Sequence, residues 1–479
     1  MATASKIQIT PENTGLWHIK QSEPAAKKAT ELLQKDLETH HVFFNDDGFH
    51  NHISHHVLAL YGIGASPESL EKGYKANEGY QRPAAPPHEE LRGWAEIKQY
   101  LGKGERYADF LAFFKGEIER LGGWEAVLRE YLFKPDDERS EDLLVRLFAG
   151  LLHPLIQLMY GVEWRQPAVV AMALAQAAVH GDQGGLRNFL LTADRQARAA
   201  SSSSEPMPAI VDLLEAVRAD EKLARSARLS DGNKIRDGVL GRAWDEAVAV
   251  ASRVRVNPDE LDERTAEMFH AAIYEGASAA LRPGKEPKWD FFLIPGGGVR
   301  DRVRGHHINV CPIFLAINAQ DWIPLESKVR ILEWKIRLDL GQYAARACPE
   351  LSLDRIASYE PKDKGPGPAV DRLLPRIHAF EDDGHASKLF RAVEIGRRAI
   401  SRYASDDNAN KSRWVLIRGP ELWDKIMHLT VDSVEAPGPT WVRGAGDPEA
   451  WKGEQDRDAG LAGAEERDIA RAEHVECVA

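Results

Sequence analysis

The chain has 479 residues, 43% hydrophobic and 28% charged, which is the balance of a folded water-soluble protein and excludes disordered, collagen-like and membrane classes. Its 62 Lys and Arg against 74 Asp and Glu leave a formal charge of −12, so it lacks the broad positive field that a nucleic-acid partner requires. Three cysteines, Cys311, Cys348 and Cys477, are too few for a disulfide framework, and a reducing, cytoplasmic setting is expected.

No basic segment followed by an apolar core opens the chain, and residues 1–14 are expected to be flexible. Ala25 to Thr39 then places Ala29, Leu32, Leu33 and Leu37 on one stripe, the signature of an amphipathic helix. Similar stripes recur at Glu90 to Leu101, Arg106 to Leu121, Asp142 to Leu152, Pro208 to Leu229, Asp259 to Leu281 and Leu325 to Cys348. Alternating runs are scarce and no repeat of fixed period appears, so the expected class is mostly α: a large helical bundle-like domain with long loops. Its catalytic body is expected over 15–443, with a small, polar linker at 195–208, a turn-rich break at Glu360 to Pro368 and a polar tail over 444–479. Leu143 to Val162 is apolar enough to imitate a membrane span, but Arg146, His153 and Pro154 interrupt it, so a buried helix and no membrane partner are predicted.

The histidines are where chemistry is expected. His50, His52, His55 and His56 crowd into FHNHISHHVLALYGIG behind the turn Asn45 to Gly48. His52 with His56 (i, i+4) or His52 with His55 (i, i+3) share a helix face, so either pair can reach one metal ion; the plain alternative is a polar, solvated helix start. His153 sits inside an apolar run, where an imidazole must satisfy both nitrogens or stay neutral, and Pro154 predicts a local break that aims the ring at a cavity. His306 and His307 precede another apolar segment; the glycines Gly296 to Gly298 lack the βαβ context of a dinucleotide loop and read as a flexible loop or lid. In DDGHASKLFRA the acidic pair and Gly384 suit a helix cap, which sets His385 and Lys388 on one face. A buried lysine has a lowered pKa and can be neutral or carry a carbamate that ligates as a carboxylate does. In a helical bundle such scattered residues can converge inward on one metal site.

The blocks FHNHISHHVLALYGIGASPESLEKGYKANEGYQRP, LHPLIQLMYGVEW and DDGHASKLFRA resemble the fungal questin oxidase-like family, over roughly Gly15 to Val431. The resemblance implies oxidative opening of an anthraquinone-type ring in aromatic polyketide metabolism, with O2 at a non-haem Fe(II) centre held by histidines and a modified lysine. Carried over, that centre falls on His56 (with His52 or His55 as alternatives from the same block), His153, His307, His385 and Lys388, the last as its carbamate. His52 or His55 is then the group that moves a proton on the substrate hydroxyl. Departures from the family pattern are Gln157, where a second histidine is expected, and Asn309 and Cys311, where Thr and Ser are usual. Phe49, Tyr61, Tyr160, Trp164, Phe291 and Phe292 are candidates to stack on a flat polycycle, although core packing explains each taken singly. Two other readings are a metal-free, NADPH-dependent Baeyer–Villiger-type monooxygenase and a non-enzymatic helical scaffold.

Overall fold

The structure, a computed structural model, describes residues 1–46, 48–181, 185–200, 206–290, 307–404 and 412–457. Asp47, Phe291, Phe292, Gly296 to Gly298, His306, Cys477, the centre of the expected linker (201–205) and the tail beyond 457 lie outside the described residues. The described chain is helical, and besides helices it holds only isolated β-bridges such as His40 with Pro83 and Phe43 with His50. The mostly α expectation is met.

Numbered in chain order, the helices that frame the interior are α1 (Glu23–Thr39), α2 (Ile53–Gly62), α3 (Pro67–Glu78), α4 (Tyr107–Leu121), α5 (Glu138–Leu147), α6 (His153–Glu163), α7 (Pro167–Ala178), α8 (Leu261–Ala279), α9 (Pro312–Asn318), α10 (Leu325–Ala345), α11 (His385–Ser401) and α12 (Pro420–Glu435). Local chemistry starts many of them. Ser22 accepts the Ala25 N–H and Pro24 occupies the first turn of α1; Ser66 accepts from Ser69 at α3; Asp137 accepts from Ser140 at α5. Every residue of α2, and all of α6 from His153 to Val162, is buried, which is what helices apolar on all sides must do. α6 and α7 form a tight antiparallel pair, α4 covers α7, α1 and α3 cover α2, and α11 lies across α2, α8 and α12. One contiguous apolar core runs through these layers from Ala4 to Val434.

Several expectations are corrected. The first residues are pinned, not loose: Ala4, Ile7 and Ile9 are buried, the Ile7 and Ile9 N–H groups donate to Gln34 and Thr30 of α1, and Gln8 exchanges hydrogen bonds of 2.9 and 2.8 Å with Gln166. The apolar alternation of Ile7 and Ile9 is too short to have signalled a docked extended segment. Glu90 to Leu101 holds only the short turns Trp94–Ile97 and Lys98–Tyr100, because Gly93 and Gly102 bracket too few residues to nucleate a stable helix. Pro208 to Leu229 is cut at Asp220, whose side chain caps the next turn by accepting from Leu223. The expected linker begins inside helix Leu186–Ala199, and the expected tail is anchored by Trp451, buried and donating to the Ala445 carbonyl at 2.9 Å. The membrane-like stretch is two helices, α5 and α6 with its preceding turn, bent by 64°; among the described residues no single helix is long and apolar enough to cross a membrane.

Buried imidazoles outside the histidine cluster set a pH limit on the fold. His270 on α8 accepts the Leu416 and Ile417 N–H groups at Nε2 (2.9 and 3.1 Å), so protonation there breaks both bonds. Burial, helped by the Arg418 charge, pushes its pKa down to about 3, and burial with Arg82 pushes His41 to about 4. Both are neutral in the folded state and protonate in the unfolded state near pH 6.5, so stability is complete above pH 6.5 and is lost as pH falls toward their folded values. Thermal melts of metal-free protein are expected to show a falling melting temperature from pH 6.5 to 4, with His270 alone removing roughly 2–3 kcal/mol. A flat profile over that range contradicts the assignment.

Candidate metal and oxidation site

The cluster is assembled from three parts of the chain. A turn bridged between Phe43 and His50, with Asn51 capping the Ile53 N–H (2.9 Å) and donating to Asp36 (2.7 Å), delivers the histidine block to the start of α2. A left-handed turn delivers His153: Gly150, Leu151 and Leu152 have φ of 51°, 61° and 69°, and α6 starts directly after them at His153 with Pro154 in its first turn. The break that Pro154 predicted therefore falls on the N-terminal side of the ring. Asp382 accepts the Gly384 and Ala386 N–H groups (both 2.8 Å) and launches α11 with His385 at its first position. Arg391 on α11 pairs with Glu163 at the end of α6, a buried ion pair that fixes the two helices together.

These elements bring His52, His153 and His385 together. His52 Nε2 lies 2.9 Å from His153 Nε2, and the His52 and His385 rings meet edge to face at 4.6 Å. Asp383 serves two imidazoles at once: Oδ2 lies 3.2 Å from His52 Nδ1, and Oδ1 accepts from His385 Nδ1. Ligand atoms of His52, Asp383 and His385 all lie within 4.8 Å of one another. His307 is held the same way, its Nδ1 paired to Asp339, which Lys335 neutralises from the next turn of α10. Its Nε2 is buried with no hydrogen-bond partner among the described residues. Lys388 follows His385 by three residues, 1% exposed, and its amine also makes no hydrogen bond among the described residues.

The hydrogen bonds determine the tautomers. His153 Nδ1 faces the Gly150 carbonyl at 2.7 Å, which can only accept, and the Nδ1 atoms of His52, His307 and His385 face carboxylates. All four rings therefore carry the proton on Nδ1 and a lone pair on Nε2. At His52 and His153 two such lone pairs meet at 2.9 Å, an arrangement that repels unless a cation lies between them. An oxygen acceptor holding the far nitrogen of each imidazole is the usual outer support of metal-ligating histidines. Burial and the Lys388 charge hold His52 and His55 well below their ordinary pKa, and burial lowers His307 against the pull of Asp339, so these rings stay neutral as ligands must. Burial also pushes Lys388 down to about 8, against the attraction of Asp383 and Asp382. Asp383 stays charged: burial opposes the charge, but the hydrogen bond of His52 and the charge of Lys388 outweigh it. The residues thus fit a bound transition metal in donor type, protonation state and support.

His56, the first choice from its block, is turned away. Its Nδ1 receives the Asn77 amide of α3 at 3.1 Å, and its ring is wedged between Gly73 and Gly384, where a Cβ on either side would crowd it. His52 takes its place in the cluster. His55 stacks beside Tyr160 at 6.0 Å with Gln157 as polar neighbour, and neither ring nitrogen makes a geometric hydrogen bond. Gln157 accepts from Ser54 at 2.8 Å, and Cys311 donates to the His307 carbonyl at 3.0 Å, while both ends of the buried Asn309 amide lack partners. Among those expected stacking aromatics that lie in the described residues, Tyr160 alone is beside the histidine block. Tyr61 and Trp164 pack edge to face in the core at 5.1 Å, and Phe49 packs on Phe44.

Two participants, His180 and Asp339, were not singled out from sequence. His50 stacks on His153 at 3.8 Å and reaches His180 Nε2 at 2.8 Å; Asp339 supports His307. His180 ends the apolar helix α7 and Asp339 interrupts the apolar face of α10, the same lone-polar signal that singled out His153.

A helical body enclosing a cluster of buried imidazoles braced by carboxylates defines the class as a mostly α protein with a histidine-rich interior. Residues 49–393 match the questin oxidase-like family, and the chain belongs to it. It is 36% identical over 459 residues to Baeyer-Villiger oxidase ptaJ of Pestalotiopsis fici, covering 94% of this chain and 98% of that protein. It is 35% identical to a questin oxidase of Aspergillus fumigatus, covering 94% and 99%, and 34% identical to Baeyer-Villiger oxidase notM of an Aspergillus species, covering 94% and 97%.

Proposed function

We propose that this protein is an oxidoreductase that opens a ring of a hydroxylated anthraquinone-type polyketide with O2, at Fe(II) held by His52, His153, His307, His385 and Lys388. The observation that supports the reading is the meeting of His52, His153 and His385, whose Nδ1 atoms are held by Asp383 and the Gly150 carbonyl; His307, held likewise by Asp339, is included on the family resemblance. Bound iron supplies a redox-active Lewis acid at which O2 chemistry becomes accessible. The protein's own groups do the rest. Asp383 and Asp339 hold the imidazoles in one tautomer, and the low pKa of Lys388 makes its free amine available to bind directly or as the carbamate formed with CO2. His55, held neutral by burial beside Gln157, is the base that takes the proton of a substrate hydroxyl and so enriches the ring in electrons before cleavage. The apolar surroundings of α2 and α6 exclude water from that ring.

The names of the relatives favour a competing reading, a Baeyer–Villiger oxidation; the form of it to be tested against iron is metal-free and consumes NADPH. One assay separates the two. The reduced form of a hydroxylated anthraquinone is incubated with the protein under O2, with Fe(II), with a chelator, or with NADPH and no metal, and ring-opened product and oxygen uptake are followed. Turnover that requires Fe(II) and stops on chelation is expected. Turnover by chelated protein that depends on NADPH sinks the iron reading, and no turnover in any arm sinks the substrate class as well.

A further inference from the structure

A cavity of about 40 Å³ lies between the left-handed turn that precedes His153 and helix α10. That is room for about two or three waters, enough for one diatomic molecule and too little for any ring of an organic substrate. Most of the residues lining it are apolar, with Phe148, Leu152, Leu186 and Leu338 among them. The space has an outer and an inner end. Leu151, Asn233 and Ile235 of its lining are half-buried, whereas Phe148, Leu152, Leu338 and His307 are 5% exposed or less, so it leads from near the surface inward to His307. Its backbone is unusual on two sides: Gly150, Leu151 and Leu152 adopt positive φ in succession, and Ile235 belongs to the π-helical segment Lys234–Val239. Left-handed leucines and π-turns are both costly and both concentrate at functional sites.

The polar atoms around the cavity are mostly spent elsewhere. The Gly150 carbonyl is taken by His153 Nδ1 at 2.7 Å, and the Ala149 carbonyl accepts the Leu152 N–H at 3.0 Å. Asn233 accepts the Arg236 N–H at 2.9 Å, and His307 Nδ1 pairs with Asp339. His307 Nε2 and Gln342 Oε1 are fully buried and show almost no surface to the space. A water there is short of the roughly two to four polar partners that hold buried water, and apolar cavities of this kind stay dry and take up apolar guests instead. Dioxygen is such a guest, being diatomic, uncharged and more soluble in hydrocarbon than in water.

We propose that this cavity is an entry site for dioxygen, taken up at the half-buried rim and held against His307 and the turn that carries His153. The inference rests on the oxygen chemistry proposed above and adds to it a place for the gas that the organic substrate is too large to occupy. Both walls belong to elements of the proposed site: the Gly150–Leu152 turn runs directly into His153, and His307 closes the inner end. Leu186 is the wall residue best suited to a test, because it opens the helix Leu186–Ala199, which carries no residue of the cluster.

Xenon, an apolar atom that binds in dry cavities, is the probe. Crystals of the full chain held under xenon gas are expected to show its anomalous signal between Leu152 and Leu338, and Leu186→Phe, which fills the space, is expected to abolish it. Oxygen uptake by the iron-loaded chain with a reduced hydroxylated anthraquinone gives the second readout. Leu186→Phe raises KM for dioxygen about tenfold and leaves KM for the organic substrate and the iron content at wild-type values. No xenon in the wild-type cavity overturns the entry site whether or not the protein consumes oxygen. Xenon bound there, with KM for dioxygen unchanged in a variant that has lost it, overturns the supply of dioxygen through this space and leaves the oxidation proposed above standing. Xenon bound by a wild type that takes up no oxygen overturns that oxidation, and the dioxygen role with it. Should Leu186→Phe fail to fold, Leu338→Phe fills the cavity from the α10 side, and the same two readouts decide.

Discussion

Lys388→Ala and His52→Ala proteins, loaded with Fe(II) and desalted, are expected to retain little iron by elemental analysis, whereas His56→Ala retains the wild-type amount. The contrast follows from where the rings go. His52 meets His153 at 2.9 Å and is braced by Asp383; His56 is spent on Asn77. Lys388 is the nearest thing to an uncommitted ligand, a buried amine with no hydrogen bond and a pKa lowered to about 8. Asp383→Asn belongs to the same experiment. An amide cannot accept from His52 and His385 as a carboxylate does, so both rings lose their imposed tautomer, and iron affinity is expected to drop about 10–100-fold with the fold intact. Labelled bicarbonate adds a direct check on the lysine: a carbamate carbon resonance in wild type that is missing from Lys388→Ala. Equal iron in the His52→Ala and wild-type proteins returns the ligand assignment to another member of the block.

Gly150→Ala is expected to be the most damaging single-methyl change in the protein. Two effects add. Gly150 has φ of +51°, where an L side chain is strained by about 1–2 kcal/mol. A Cβ built there also overlaps the His180 imidazole, so that ring must leave, with loss of its 2.8 Å contact to His50 and disturbance of the His50 ring stacked on His153. Together the cost is expected to reach about 3–5 kcal/mol, the range of severe core lesions. Gly64→Ala is the control. Its φ of +85° imposes comparable backbone strain, but nothing lies within 4 Å of its Cβ, so about 1 kcal/mol is expected. Denaturant unfolding of the two variants measures the difference, and equal losses would mean that His180 yields freely.

How far the site was legible varies residue by residue, for physical reasons. His153, His307 and His385 stood out because a polar ring in an apolar run or at a helix start must be satisfied somehow, and each proves to be braced through Nδ1. The choice within the histidine block was not legible. Helical spacing places His52 and His56 on a common face, but what separates them is the packing of Gly73 and Gly384 around His56, contributed by residues elsewhere in the chain. Asp383 read as a capping residue, and in the structure the capping is done by Asp382 while Asp383 turns inward to two imidazoles. The helical class was legible from periodicity, since stripes at Ala25 to Thr39 and Leu325 to Cys348 became α1 and α10. The docking of residues 4–9 was not, because three apolar side chains carry no period.

The bridge that Asp383 makes between α2 and the start of α11 also dictates an order of events during synthesis. The two partners come from opposite ends of the family-matched stretch, 49–393, so the contact is among the most non-local in the molecule. Contacts of that kind close late, after the intervening helices have emerged and packed. A nascent chain on the ribosome therefore exposes His52 without its carboxylate brace for most of its elongation, and a truncation before Asp382 leaves a helical body with an unfinished interior. On the iron reading proposed above, metal capture is accordingly a finishing step of maturation and not a nucleus for folding.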